Sequence, residues 1–198
     1  MGFHHFVLTV ALLAMLAGGC ANQLRGMRAV PASQVTLRPP ADRAAVVFLR
    51  PSVSTGAHSA SLFELRPGAE DRFVGILVAE TQLVDYLPAG RTRFMVLGRG
   101  AEFLDADLEA GKTYRVALLP PPPGTSDSFF TLVPVRGTDL RPGPVRQCTE
   151  SCGWVENTDR SRTWAQRTWY SIQRKKAAYL PKWEARADRP ALRAADGR

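Results

Sequence analysis

The chain has 198 residues and carries 26 Lys/Arg against 18 Asp/Glu, a formal charge of +8. That length supports one ordinary domain with appendages. The charge is concentrated late: residues 20–135 hold 12 Lys/Arg and 11 Asp/Glu, whereas residues 136–198 hold 14 and 7. A zinc site needs four ligands, or three and a water. Beyond residue 19 the only histidine is His58, so no metal is expected unless carboxylates join it.

Residues 6–17 are uncharged and mostly apolar, and Gly18-Gly19-Cys20 follows. About 12 apolar residues suit the core of an export signal and fall short of the roughly 20 needed to span a bilayer. A cysteine directly after small residues resembles the lipobox of bacterial lipoproteins, although Ala17 stands where that pattern usually has Leu and Leu16 lies one step earlier. The resemblance implies cleavage after residue 19, acylation of Cys20, and a protein held at the membrane by this lipid anchor. Ala21, where an Asp would mark inner-membrane retention, implies the periplasmic face of the outer membrane. The competing reading is an ordinary secretory signal with a chance cysteine. Either way residues 1–19 lie outside the fold, and export argues against nucleic acid as a partner for the basic charge.

Residues 20–43 are polar and contain Pro31, Pro39 and Pro40. They read as a flexible, lipidated tether with an r.m.s. reach of roughly 25 Å, at about 5–6 Å times the square root of its length.

From 44 to 135 the chain is a succession of short apolar and β-branched runs: 44–50, 61–65, 73–78, 82–87, 91–97, 103–108, 113–119 and 129–135. Gly and Pro separate them, as in Pro67-Gly68, Pro88-Ala89-Gly90 and the proline run 120–123. Short strands at this spacing predict a mainly β fold, an antiparallel sandwich of about seven to eight strands. Leu104, Ala106 and Leu108 alternate with Phe103, Asp105 and Asp107, the pattern of a half-buried strand whose carboxylates face solvent.

Within this region Phe48-Leu49-Arg50-Pro51, the pair through Phe63 and Gly75-Ile76-Leu77, Tyr86-Leu87-Pro88-Ala89-Gly90, and Leu108-Glu109-Ala110-Gly111-Lys112-Thr113-Tyr114-Arg115-Val116 stand out. Together they resemble a small β-sandwich domain of bacterial lipoproteins, similar to PEGA and transthyretin-like domains, with Arg91 where many have Lys or His. The matching motifs mark turns, so the resemblance implies a fold and an envelope setting and carries no catalytic residue across.

Residues 136–198 form a third unit. Cys148 and Cys152 are spaced for a disulfide, which an exported protein can keep. Residues 161–180 read as a helix with Asp159 or Ser161 as N-cap, a stripe of Ala165, Trp169, Ile172 and Tyr179, and a stop at Pro181. Docking predicts that Trp169 and Ile172 are buried while Arg174, Lys175 and Lys176 are exposed. Alternatively Arg174, Lys175 and Lys176, with Trp164 and Trp183, form a binding surface for an envelope component. Residues 184–198 read as a frayed tail.

Chemistry is sparse. His58 lies among serines in 52–61, which a polar loop explains, and no nucleophile elbow, P-loop, dinucleotide-binding glycine pattern or CxxC is present. No cofactor and no catalytic residue is therefore expected. The leading expectation is a non-enzymatic envelope lipoprotein with a structural or protein-interaction role. The alternative is a module that binds anionic lipid headgroups or cell-wall glycan through the basic helix. A distant third is a hydrolase using His58 and a loop serine.

Overall fold

A computed structural model describes residues 24–52, 58–66, 68–137 and 143–198. The chain is mainly β, with three helices late in the sequence. The eight predicted runs of residues 44–135 all appear: β2 (Arg43–Arg50), β3 (Ala60–Leu65), β4 (Arg72–Leu77), β5 (Thr81–Pro88), β6 (Gly90–Leu97), β7 (Ala101–Leu108), β8 (Thr113–Leu119) and β9 (Thr131–Pro134). Three more strands come from outside that region: β1 (Met27–Val30), β10 (Gly153–Asn157) and β11 (Ala191–Leu192).

They form two sheets, ordered β1-β10-β5-β2-β8-β9 and β11-β7-β6-β3-β4. The expected antiparallel arrangement is corrected here, because both sheets are mixed. β2 runs parallel to β8, β5 to β10 and β7 to β11. These parallel partners are not chain neighbours, so no hairpin turn dictates their direction. The chain switches sheets between β5 and β6 across Ala89 alone, and Gly90 takes φ 119° at this corner, a conformation closed to most side chains.

Inward residues of both sheets share one core. Ala44, Val46 and Phe48 of β2 meet Leu62, Phe94 and Val96 of the other sheet. The Phe48 and Phe94 rings touch edge to face at 5.0 Å. β2 is central and buried on both faces, as its unbroken apolar run requires. Arg50 ends it inside the protein, Nη1 donating to Leu77 O at 3.3 Å and the guanidinium 4.9 Å from the Phe130 ring. Desolvation lowers its pKa to about 10, which still leaves it charged at neutral pH.

The outer faces are covered too. Helix α1 (Pro144–Ser151) contributes Cys148 to a cluster with Leu49, Ala117 and Val135 over the first sheet. Helix α3 (Trp169–Glu184) covers Phe63, Met95 and Phe103 on the second. Gly100 lets it approach: a Cβ there would come within 2.9 Å of the Tyr179 ring.

Both flanks of the domain differ from expectation. The segment read as a free tether is folded where it is described. Leu24 packs against the core, β1 pairs with β10, and the Thr113 hydroxyl donates to Leu37 O at 2.7 Å. The expected frayed tail carries β11, whose Leu192 is buried in the main core, and Arg198 N–H donates to Thr113 O at 3.1 Å. Cys20 lies outside the described residues.

Candidate functional site

The predicted single helix 161–180 is two helices. The first, α2 (Asp159–Arg167), starts at a capping box in which Thr158 N–H donates to Ser161 Oγ at 3.0 Å and Ser161 N–H to Thr158 Oγ1 at 3.4 Å. Thr158 is therefore the N-cap, and Ser161 is its partner inside the helix. The break falls at Thr168, with ψ 2° and its hydroxyl donating to Trp164 O at 2.7 Å; such side-chain bonding back to the preceding turn bends helices. Pro181 does not stop α3. A proline inside a helix costs about 3 kcal/mol, and burying Trp183 offsets it. Trp183 is 3% exposed, 5.6 Å from Phe103, with the Arg93 and Arg189 guanidinia at 4.8 and 5.4 Å from its ring.

The expected binding residues therefore part company. Trp183 is core. Lys176 is committed to Asp71 at 2.6 Å, an aspartate only 6% exposed that also accepts from Gln173. Arg174 is exposed and lies 6.0 Å from the Tyr170 ring. Ile172 is buried, as docking requires, while Trp169 is partly buried against Phe63. Trp164 and Lys175 do come together, in a cleft.

That cleft, of about 440 Å³, opens where the α2–α3 junction meets the ends of β3 and β6. Leu97 and Ile172 lie at its base, Trp164 and Phe129 form walls, and Ser59, Ser61, Thr168 and Ser171 supply hydroxyls. Among the described residues Arg25, Arg99 and Lys175 are its cations, and no Asp or Glu lines it. Lys175 donates to Gly98 O at 2.8 Å, and among the described residues none of the three cations pairs with a carboxylate. The sequence neighbours 1–23 and 53–57 contain no Asp or Glu. His58 stacks flat on Phe129, with 3.9 Å between centroids. Nothing orients it as a base toward Ser59 or Ser61: no hydrogen bond joins them, and no carboxylate stands in the cleft to hold the imidazole.

A second cleft, of about 650 Å³, lies on the other side of α3, over β6 and β7 and against β11. Leu65, Ala106, Leu180 and Leu192 give it an apolar floor. It holds carboxylates beside its cations: Arg66, Arg91, Arg93, Lys176 and Arg193 stand with Asp71, Asp105 and Asp107. Arg93 bridges Asp105 and Glu184, both at 2.6 Å, and Arg91 is the cross-strand partner of Asp107. Burial disfavours the Arg93 charge, but the bonds from Asp105 and Glu184 outweigh that and raise its pKa. Asp105 and Asp107 thus lie off the main core, as expected, and Asp105 is occupied by a cation.

The sequence reading missed Arg25 and Arg99. Arg99 sits between two glycines at the tip of the β6–β7 hairpin, and Arg25 precedes the first strand; a lone cation at a Gly-X-Gly turn was the available signal. Cys148 and Cys152 stand at disulfide-bonding distance, with Cα atoms 4.6 Å apart. No group of three or more His, Cys, Asp or Glu stands together among the described residues, and no helix there is long and apolar enough to cross a membrane. No protein-family model matches the chain and no curated protein matches it, so the likeness to PEGA and transthyretin-like domains rests on its own residues.

Proposed function

We propose that this protein is a non-catalytic, lipid-anchored module of the bacterial envelope that binds an anionic ligand. One observation carries the reading: Arg25, Arg99 and Lys175 meet in a cleft that, among the described residues, holds no carboxylate. Gathering like charges without a counter-charge costs free energy, which a bound anion returns. The geometry therefore favours the binding module over a purely structural or protein-interaction role, and moves the ligand site from the exposed helix face to the cleft beside it.

The rest of the reading has separate supports. Cys20 after Gly18-Gly19 supports export, lipidation and a place at the periplasmic face of the outer membrane. The core shared by two covered sheets supports a sandwich architecture. The spacing of Cys148 and Cys152 supports a disulfide.

The test is a titration of the protein with inorganic pyrophosphate, with a muropeptide bearing free stem carboxylates, and with a neutral N-acetylglucosamine oligomer. The reading expects at least one anionic probe to bind, more weakly as salt rises, and the neutral oligomer not to. Equal binding of neutral and charged probes, or binding indifferent to salt, contradicts it.

A further inference from the structure

We infer that the ligand of the cationic cleft is the headgroup of an anionic phospholipid in the leaflet that carries the anchor. This rests on the lipoprotein reading above and adds the ligand class and the direction from which it comes.

The first argument is reach. Folded structure begins no later than Leu24, which packs on the core and accepts from Met27 N–H at 3.0 Å. Cys20 lies four residues before Leu24, and a chain spans at most about 3.3–3.6 Å per residue. An acyl chain on Cys20 holds Leu24 within about 14 Å of the bilayer surface by that measure. The next residue, Arg25, lines the cleft. The cleft therefore stands at the membrane-proximal end of the domain, near lipid phosphates and not held out toward the cell wall.

The second argument is the surface around the mouth. Trp164 and Tyr170, 37% and 76% exposed, are the exposed large apolar side chains of the described residues. Trp164 lines the cleft, and Tyr170 adjoins cleft-lining Ser171 on the next stripe of α3, with Arg174 one turn further along. Exposed Trp and Tyr beside unpaired cations match the water–lipid boundary, where amphipathic rings settle and anionic headgroups attract Lys and Arg.

The third argument is chemistry. Guanidinium groups offer forked donors that fit phosphate oxygens, Lys175 adds a point charge, and the Ser59 and Ser171 hydroxyls can donate to the same group.

The experiment uses full-chain protein isolated from membranes in a non-ionic detergent. It is titrated with dihexanoyl phosphatidylglycerol, with dihexanoyl phosphatidylcholine and with inorganic phosphate. The readout is Trp fluorescence, assigned to the cleft by its loss in Trp164→Phe. Phosphatidylglycerol is expected to bind at least tenfold more tightly than either other probe. Arg25→Glu/Arg99→Glu/Lys175→Glu is expected to weaken it at least tenfold while keeping the wild-type near-UV circular dichroism. Should that variant misfold, Arg99→Gln, at an exposed hairpin tip, is expected to weaken binding at least threefold. Equal binding of the two lipids, or unchanged affinity in the variants, overturns the inference. Inorganic phosphate or a muropeptide binding better than phosphatidylglycerol overturns the headgroup and leaves the anion cleft standing. Failure of every anionic probe removes both. The mass of the isolated N-terminal peptide decides separately whether Cys20 is acylated, and an unmodified cysteine removes the argument from reach.

Discussion

The two clefts flanking α3 share a helix, a sheet and an abundance of arginine, yet among the described residues only one of them has carboxylates in its lining. Over β6, β7 and β11, each of several cations has a carboxylate within reach: Lys176 has Asp71, and Arg93 has Asp105 and Glu184. At the α2–α3 junction Arg25, Arg99 and Lys175 have none among the described residues. The first arrangement fixes the helix on the sheet, with Lys176 and Arg93 spent on internal ion pairs. The second leaves charge available to something from outside. Net charge alone, +8 for the whole chain, says nothing about which face binds; the pairing of each cation does.

The comparison can be broken at several strengths. The largest effect is expected from Trp183→Ala. It removes the buried anchor beneath Arg93 and Arg189, and truncating a buried aromatic costs about 3–5 kcal/mol. A denaturant melt checks it, and a loss below about 1 kcal/mol would mean α3 is not held by this residue. Replacing Cys148 and Cys152 by Ser touches neither cleft. The chain-entropy model gives roughly 2 kcal/mol for so short a loop. The expected result is a lower melting temperature with anion affinity unchanged, and full thiol labelling of wild-type protein isolated without reductant would show that no disulfide forms.

A subtler break is Lys176→Met, which strips a nearly buried Asp71 of its cation but leaves Gln173. The expected cost is about 1–3 kcal/mol, with no change in anion binding. Smallest in stability are the cleft cations. Arg25→Gln and Arg99→Gln change exposed side chains without ion pairs, so melts should move by less than about 1 kcal/mol. If either change destabilises strongly, the cation serves the fold and the contrast between the clefts fails.

Much of the sheet structure was legible in the sequence. Each strand from β2 to β9 is a short apolar run, most of them closed by Gly or Pro, and the alternation around Leu104, Ala106 and Leu108 named the inward face of β7 correctly. What sequence patterns do not carry is the pairing of distant segments. β10 and β11 are too short and too polar to stand out, and their parallel partners lie far off in the chain, which is why mixed sheets replaced the expected antiparallel ones. The helix reading failed in the same way. Periodicity found Ile172, but a hydroxyl bonding back at Thr168 and a tertiary contact at Trp183 decided where helices break and continue. For the candidate cleft, the local density of Arg174, Lys175 and Lys176 and the presence of Trp164 pointed to α2 and α3, and Lys175 and Trp164 line it. Asp71, a hundred residues earlier, occupies Lys176, while Arg25 and Arg99 arrive from elsewhere to join Lys175.

The most direct test of the central claim compares two charge-matched variants of the full-chain protein. One is Arg99→Glu/Lys175→Glu in the cleft without described carboxylates, and the other is Arg66→Glu/Arg91→Glu at the cleft that also holds Asp71, Asp105 and Asp107. Each lowers the net charge equally, so long-range attraction falls alike in both. Their dissociation constants for dihexanoyl phosphatidylglycerol at fixed ionic strength decide the matter. The account predicts at least tenfold weaker binding for the first variant and less than twofold for the second. Equal losses in the two would contradict it, because the protein would then bind through overall charge and not through the cleft.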